Sequence, residues 1–208
     1  MEIGDASDAL IRGGRRLGAR GLISAGEGNL SIRLDRSRIL VTPSGRRKDE
    51  LEVDDLVIVR TDHPGTDARS RSGLAPSSDL AIHLAVYAAR PDIGAVAHAH
   101  LPAAMALTLA GEIPDPAILP ETARFLPRLP FLTLGVPGSP ELAGRIAAAL
   151  TEPPAPLPGA VLLERHGAVA VGDTVDAAVD RLELVEVLCR TWRDSLTIRA
   201  ARATLGGV

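Results

Sequence analysis

The sequence predicts an α/β fold in which a mostly antiparallel sheet is covered on both faces by helices. Three observations lead there. Short apolar runs with strand character, such as Leu30-Ser31-Ile32 and Leu56-Val57-Ile58-Val59, are mostly joined by turns. Segments with helical periodicity are interspersed among them; the clearest has apolar residues at 175, 178, 179, 182, 185, 188, 189, 192 and 196. Hydrophobic residues make up 46% and charged ones 24% of 208 residues, so a sizeable core is available. Nothing marks a linker, and residues 1–208 read as one domain.

In order, Ser7 is a candidate N-cap for a helix reaching about Arg20, and Gly21 suits the left-handed residue that ends it. Arg12, Arg15, Arg16 and Arg20 read as a solvated face of that helix. A Gly-rich turn at 26–28 feeds a strand with apolar positions 30, 32 and 34, and Asp35-Arg36-Ser37 turns the chain into a returning strand, Arg38–Thr42. Val53–Arg60 gives another strand, and the polar stretch Thr61–Pro76 a loop with a solvated His63. Ser77-Ser78-Asp79 opens a helix over Leu80–Ala89, stopped by Arg90-Pro91-Asp92. Ala103–Ala110 is helical, and residues 114–130, with five prolines, form an irregular connection. Phe131–Leu134 is a short strand. Ser139 caps the next helix with Pro140 in its first turn, and Thr174 caps the long final helix, whose tail past Arg199 is expected to fray.

Composition removes several function classes. Net charge is −3 and aromatic content 2%, which supplies neither a polyanion-binding surface nor stacking platforms for bases, so no nucleic-acid partner is expected. No run of about 18 uncharged apolar residues exists and the N-terminus lacks signal-peptide character; neither a membrane partner nor export is expected, and a cytoplasmic location is. The single Cys189 lies in a helical pattern and reads as a small core residue.

The chemistry gathers around Ala95-Val96-Ala97-His98-Ala99-His100. Alternate residues of a strand share a face, so His98 and His100 lie roughly 6–7 Å apart on one side and can reach one ion. His166 lies between two further apolar runs, Val161-Leu162-Leu163 and Ala168-Val169-Ala170-Val171, and a third imidazole from that second strand region would complete a three-histidine zinc site with an open position. A histidine in an apolar run is otherwise a hydrogen-bonded core residue, and spacing alone leaves both readings open. Pro43-Ser44-Gly45 is either an ordinary turn or an anion grip. Ser77, Ser78 and Asp79 are either caps or a helix N-terminus offered to a phosphate, with His83 on the face of Asp79.

Taken together, Gly28-Asn29-Leu30-Ser31-Ile32-Arg33, Thr42-Pro43-Ser44-Gly45, Pro76-Ser77-Ser78-Asp79, His98-Ala99-His100, Pro137-Gly138-Ser139 and Arg165-His166-Gly167 resemble the class II aldolase/adducin family over roughly residues 7–200. The resemblance implies a three-layer α/β/α sandwich with a mixed, mostly antiparallel sheet, and homotetramers with active sites at subunit interfaces. It implies His98, His100 and His166 as ligands of Zn2+, and Asn29, Ser44, Gly45, Ser77 and Ser78 as contacts of a phosphorylated sugar. Two positions depart from the fuculose-phosphate aldolase branch. Asp79 stands where that branch has glutamate, as in the ribulose-phosphate epimerase branch, and its catalytic tyrosine falls near Pro116-Ala117-Ile118. Tyr87 is the sole tyrosine and lies on the preceding helix.

A metal held by three neutral imidazoles would stabilise an enediolate, with Asp79 as the candidate base. The resulting expectation is a lyase that cleaves a small phosphorylated ketose by retro-aldol chemistry. Epimerisation, dehydration and decarboxylation are same-site alternatives, and an adducin-head-like assembly module the non-catalytic one.

Overall fold

The structure is a computed structural model that describes residues 2–63 and 68–205; residues 64–67 of the predicted polar loop lie outside it. Seven strands form one sheet in the order β3-β2-β1-β4-β7-β6-β5: β1 Asn29–Arg33, β2 Arg38–Val41, β3 Val57–Arg60, β4 Ala95–Ala99, β5 Phe131–Leu132, β6 Ala160–Leu163 and β7 Gly167–Gly172. Every pairing is antiparallel except β5 with β6, so the sheet is mixed and mostly antiparallel.

Alternation along the strands sorts the core into two layers. Leu30, Ile32, Ala95, Ala97, Ala99, Ala168 and Ala170 face helices α1 (Ile3–Ala19), α3 (Pro102–Leu109) and α6 (Val175–Leu205). Val96, Val161, Val169 and Val171 face α2 (Leu80–Ala89) and α5 (Pro140–Ala149). This is the α/β/α sandwich that the sequence predicts. The alanines of β4 and β7 set the spacing on the first face, since side chains that small let α6 lie close over the sheet centre. Cys189 is buried there.

Several local expectations are corrected. The first helix starts at Ile3, and Ser7 lies inside it, donating its hydroxyl to the Ile3 carbonyl at 2.8 Å. Its arginines are not simply solvated: Arg16 pairs with Asp180 at 2.5 Å and Glu183 at 2.7 Å, Arg12 reaches Asp176, and Arg20 reaches Glu183. That face meets an acidic stripe of α6. Val53–Asp55 is a 3-10 turn ahead of β3, not strand. The connection 114–130 holds a 3-10 turn, Pro116–Ile118, and a short helix α4, Pro120–Phe125; each begins on a proline, where the missing N–H costs nothing. The last helix continues past Arg199 to Leu205. Gly21 has φ +65° as expected, His63 is exposed, and Ser139 and Thr174 accept N–H bonds from Leu142 and Ala177. No helix of the described residues is long and apolar enough to cross a membrane.

One buried carboxylate fixes the segment that follows His100. Glu186 on α6 accepts the Ala103 and Ala104 N–H groups at the start of α3, at 3.1–3.4 Å, and is balanced by Arg190 at 2.8 Å. Removing it strands two buried donors. Glu186→Ala should therefore lower unfolding stability by about 2–3 kcal/mol in urea denaturation. A loss under about 0.5 kcal/mol would show that water replaces the cap without cost.

Candidate metal and substrate site

His98 lies near the end of β4, the central strand, on the α2 side of the sheet and fully buried. Its Nδ1 donates to the Ala168 carbonyl on β7 at 3.0 Å, which leaves Nε2 as the acceptor nitrogen. That Nε2 is buried and has no hydrogen-bond partner among the described residues. His100 sits two residues on, partly buried. Glu27 Oε1 is 3.4 Å from its Nδ1, so a carboxylate backs the second imidazole as a carbonyl backs the first.

His166 is not in a strand, as the sequence suggests, but in the tight turn between β6 and β7. Gly167 makes that turn possible. Its φ is +84°, and a Cβ there would overlap the Ala99 carbonyl and lie 2.6 Å from His100 Cα. The turn can lie against the end of β4 only because the side chain is missing. Arg165 beside it has φ +56°, and Leu101 directly after His100 has φ +37°. Positive φ in non-glycine residues is strained backbone, and here it flanks two of the three imidazoles. Thr108 Oγ1 accepts the Arg165 N–H at 3.0 Å and anchors the turn to α3.

The three rings end 4.8, 5.0 and 5.2 Å apart between centroids, with one ligand nitrogen from each within a 4.8 Å span. The donor set fits a divalent ion: three imidazoles, a buried lone pair with no other partner, and oxygens behind two of the rings. Burial, reinforced by the neighbouring imidazoles, pushes the His98 and His166 pKa values down, which favours the neutral form that a metal requires.

Asp79 precedes α2, and its Oδ2 is 4.0 Å from His98 Nε2. It does not cap the helix with its side chain. Instead Asn29 Nδ2 donates to Oδ2 at 2.8 Å, and Asn29 Oδ1 is 2.6 Å from His83 Nε2. The amide must turn its N–H2 to the carboxylate, so His83 donates from Nε2 and accepts the Ser31 hydroxyl at Nδ1, 2.7 Å away. His83 thus supports Asp79 through Asn29, not by direct contact along the helix. Burial holds His83 neutral, with its pKa near 4, although Asp79 opposes this. Tyr87 Oη lies 3.0 Å from Ser31 Oγ and is buried behind this chain of groups, outside the cavity lining.

A cavity of about 310 Å³ opens over the histidines. It brings together Asn29, Ser44, Gly45, Ser77, Ser78, Asp79, His100 and His166; His98 is buried behind this lining, 4.0 Å from Asp79 and grouped with the other two histidines. Every site residue singled out from sequence therefore falls in one place. Two lining residues had no sequence signal of their own: Glu27, which looks like part of a Gly-rich turn, and Lys48, which looks like one more charge in a charged run. A groove of about 440 Å³ between α4 and α6, walled by Phe125, Leu184 and Val187, holds none of the histidines.

The model of the Class II Aldolase and Adducin N-terminal domain family matches residues 8–193. A methylthioribulose-1-phosphate dehydratase from Acidiphilium cryptum is 37% identical over 186 residues, covering 86% of this chain and 85% of that protein. A 3-oxo-tetronate 4-phosphate decarboxylase from Haemophilus influenzae is 34% identical over 185 residues, covering 86% and 83%. Among solved structures, L-fuculose-1-phosphate aldolase from Thermus thermophilus superposes with a TM-score of 0.79 at 29% identity, covering 94% and 96%.

The depressed histidines set a pH dependence for the metal-free protein. Unfolded histidines take up protons near pH 6.5, whereas His83, His98 and His166 resist doing so when folded. The unfolded state therefore binds more protons below pH 6.5, and stability is complete above that pH and lost as pH falls. The slope should be on the order of 1 kcal/mol per pH unit for each histidine held fully neutral. Urea denaturation of metal-free protein at pH 7.5 and pH 5 measures it; equal stability at the two would contradict buried neutral imidazoles.

Proposed function

We propose that this chain, which belongs to the class II aldolase and adducin family, is a zinc-dependent lyase that acts on a small phosphorylated ketose. The observation that carries this reading is the convergence on one cavity of three imidazoles, an unligated carboxylate and a set of neutral N–H and O–H donors. The family's relatives named above are enzymes of phosphorylated sugar-derived substrates, which supports the substrate class. A purely structural module has no use for a buried imidazole nitrogen with nothing to bond.

His98, His100 and His166 would hold the ion, which supplies Lewis-acid stabilisation to negative charge developing on substrate oxygens. The Ser44-Gly45 turn, Asn29 and the Ser77-Ser78 segment hold the phosphate end, fixing orientation. Asp79 takes the substrate proton. Asn29 occupies its Oδ2 and aims the carboxylate, leaving Oδ1 with no hydrogen-bond partner among the described residues to act as the base. Retro-aldol cleavage follows when that proton leaves a hydroxyl one carbon beyond the carbonyl carbon's neighbour. Elimination of water, in which Asp79 takes a carbon-bound proton beside the carbonyl, is the second reading; the 37%-identical dehydratase favours it. Tyr87 plays no direct part in either, since burial raises its pKa and its hydroxyl is held by Ser31.

A screen of phosphorylated ketoses separates the two readings: aldehyde release marks cleavage, and a dicarbonyl product without chain shortening marks dehydration. Two variants test the roles. His166→Ala should lose most of the roughly one zinc per chain expected of a three-histidine site. Asp79→Asn should keep zinc and fold but lose turnover by about a hundredfold or more, because an amide cannot accept the proton. Zinc retained in the first, or wild-type turnover in the second, overturns that assignment.

We also propose a homotetramer. Leu109, Ile113, Ile118, Phe125, Leu134 and Val136 are all exposed within one stretch of chain, with Leu109 and Val136 each 71% exposed. Light scattering should report several chains per particle, and a fully active monomer would refute the assembly.

A further inference from the structure

Lys48 is 2% exposed, yet it lines the cavity. Its Nζ donates to the Gly26 carbonyl at 2.7 Å and the Arg46 carbonyl at 2.6 Å. Those carbonyls belong to two different turns, one leading into Asn29 and the other continuing from Ser44-Gly45. An ammonium has three donors, and the third has no partner among the described residues. Nor does any carboxylate among them lie within ion-pair distance. The neighbouring cations are already committed: Arg46 to Asp55 at 3.6 Å, and Arg47 to Asp49 and Glu50 at 3.0 and 2.8 Å.

A buried ammonium satisfied only by carbonyl dipoles is costly, and chains rarely keep one without a counter-charge. The rest of the cradle consists of neutral donors, which orient a phosphate but leave its two negative charges unbalanced. We propose that Lys48 is the cationic member of that cradle: it ties the Gly26 and Arg46 turns together and offers its remaining N–H and its charge to the phosphate of the substrate. The assignment rests on the reading of this cavity as a sugar-phosphate site and goes beyond it in naming the group that makes the site select a dianion.

Burial lowers the Lys48 pKa to about 8 while Asp79 opposes the shift. A bound dianion raises it again, so binding above pH 8 requires proton uptake and weakens by up to about tenfold per pH unit. The other titratable groups that line the cavity are Asp79 at the start of α2, Glu27 beside Gly26, His100 after β4 and His166 from the β6–β7 turn. All remain in a Lys48 variant, so a difference between variant and parent belongs to Lys48.

The test is calorimetric binding of dihydroxyacetone phosphate and of dihydroxyacetone to the zinc-loaded protein at pH 7 and pH 9. Lys48→Gln keeps an N–H2 that can hold a carbonyl and removes the charge. It should bind the phosphorylated probe at least tenfold more weakly at pH 7, bind the unphosphorylated one as the parent does, and lose the decline toward pH 9. Should the variant fail to fold, proton uptake by the parent at pH 8.5, measured in two buffers of different ionisation enthalpy, gives the same answer; no uptake refutes the proposal. If parent and Lys48→Gln prefer the phosphorylated probe equally, Lys48 is only a structural tie and the phosphate site stands. If the parent shows no preference, the phosphate reading itself falls, and the role of Lys48 with it.

Discussion

Leaving a buried acceptor unpaired costs about 1–3 kcal/mol, and the chain bears that cost at His98 Nε2, near the end of its central strand. The surrounding structure is arranged to keep the nitrogen bare. The Ala168 carbonyl accepts the hydrogen bond of the opposite ring nitrogen, Val169 on β7 stands directly opposite His98 in the sheet register, and the small side chains of β4 and β7 bring α6 close beneath. Two further imidazoles and a carboxylate converge on the same point without hydrogen-bonding to it. The structure thus holds a lone pair in reserve, which is what binding a positive ion requires.

Asp79 follows the same logic one shell outward. A carboxylate at a helix start would ordinarily turn back to the first-turn N–H groups, since that contact is local and cheap. Here a run of buried polar groups reaching from Ser31 through His83 to Asn29 pulls it toward the histidines instead. Each group in that run has one donor-acceptor arrangement that satisfies its neighbours, so the carboxylate's direction is set through Asn29 by Ser31 and His83, which lie outside the cavity lining. Glu27 does for His100 what Asn29 does for Asp79.

The sheet, its two helical layers and the site residues were legible because they depend on periodicity and on short ordered motifs. Alternation at 30, 32, 96 and 98 assigns faces without knowledge of the partner strand. What was not legible depends on contacts across the chain. The arginines of α1 look solvated until the acidic stripe of α6, more than 160 positions away, is laid beside them. Ser7 has the chemistry of a cap, but the helix begins a turn earlier and leaves it inside. His166 lies between two strand-like runs, and the positive φ values of Arg165 and Gly167 on either side of it mark a turn there. Lys48 could not be singled out because burial, not residue type, makes it unusual.

The strand order has a consequence for how the protein matures. His98 comes from β4 and His100 from just after it, Asn29 from β1, His166 from the β6–β7 turn and Asp79 from the start of α2, so no contiguous stretch of chain contains the site. Contacts separated by many tens of residues close late, after their loops have been brought together. A nascent or partly assembled chain therefore offers an ion isolated histidines but no cage. An ion bound at the three histidines would report that the central strands have met in register, and mass action would then hold the finished chain against reopening. Arming the site and closing the folding reaction would then be a single act.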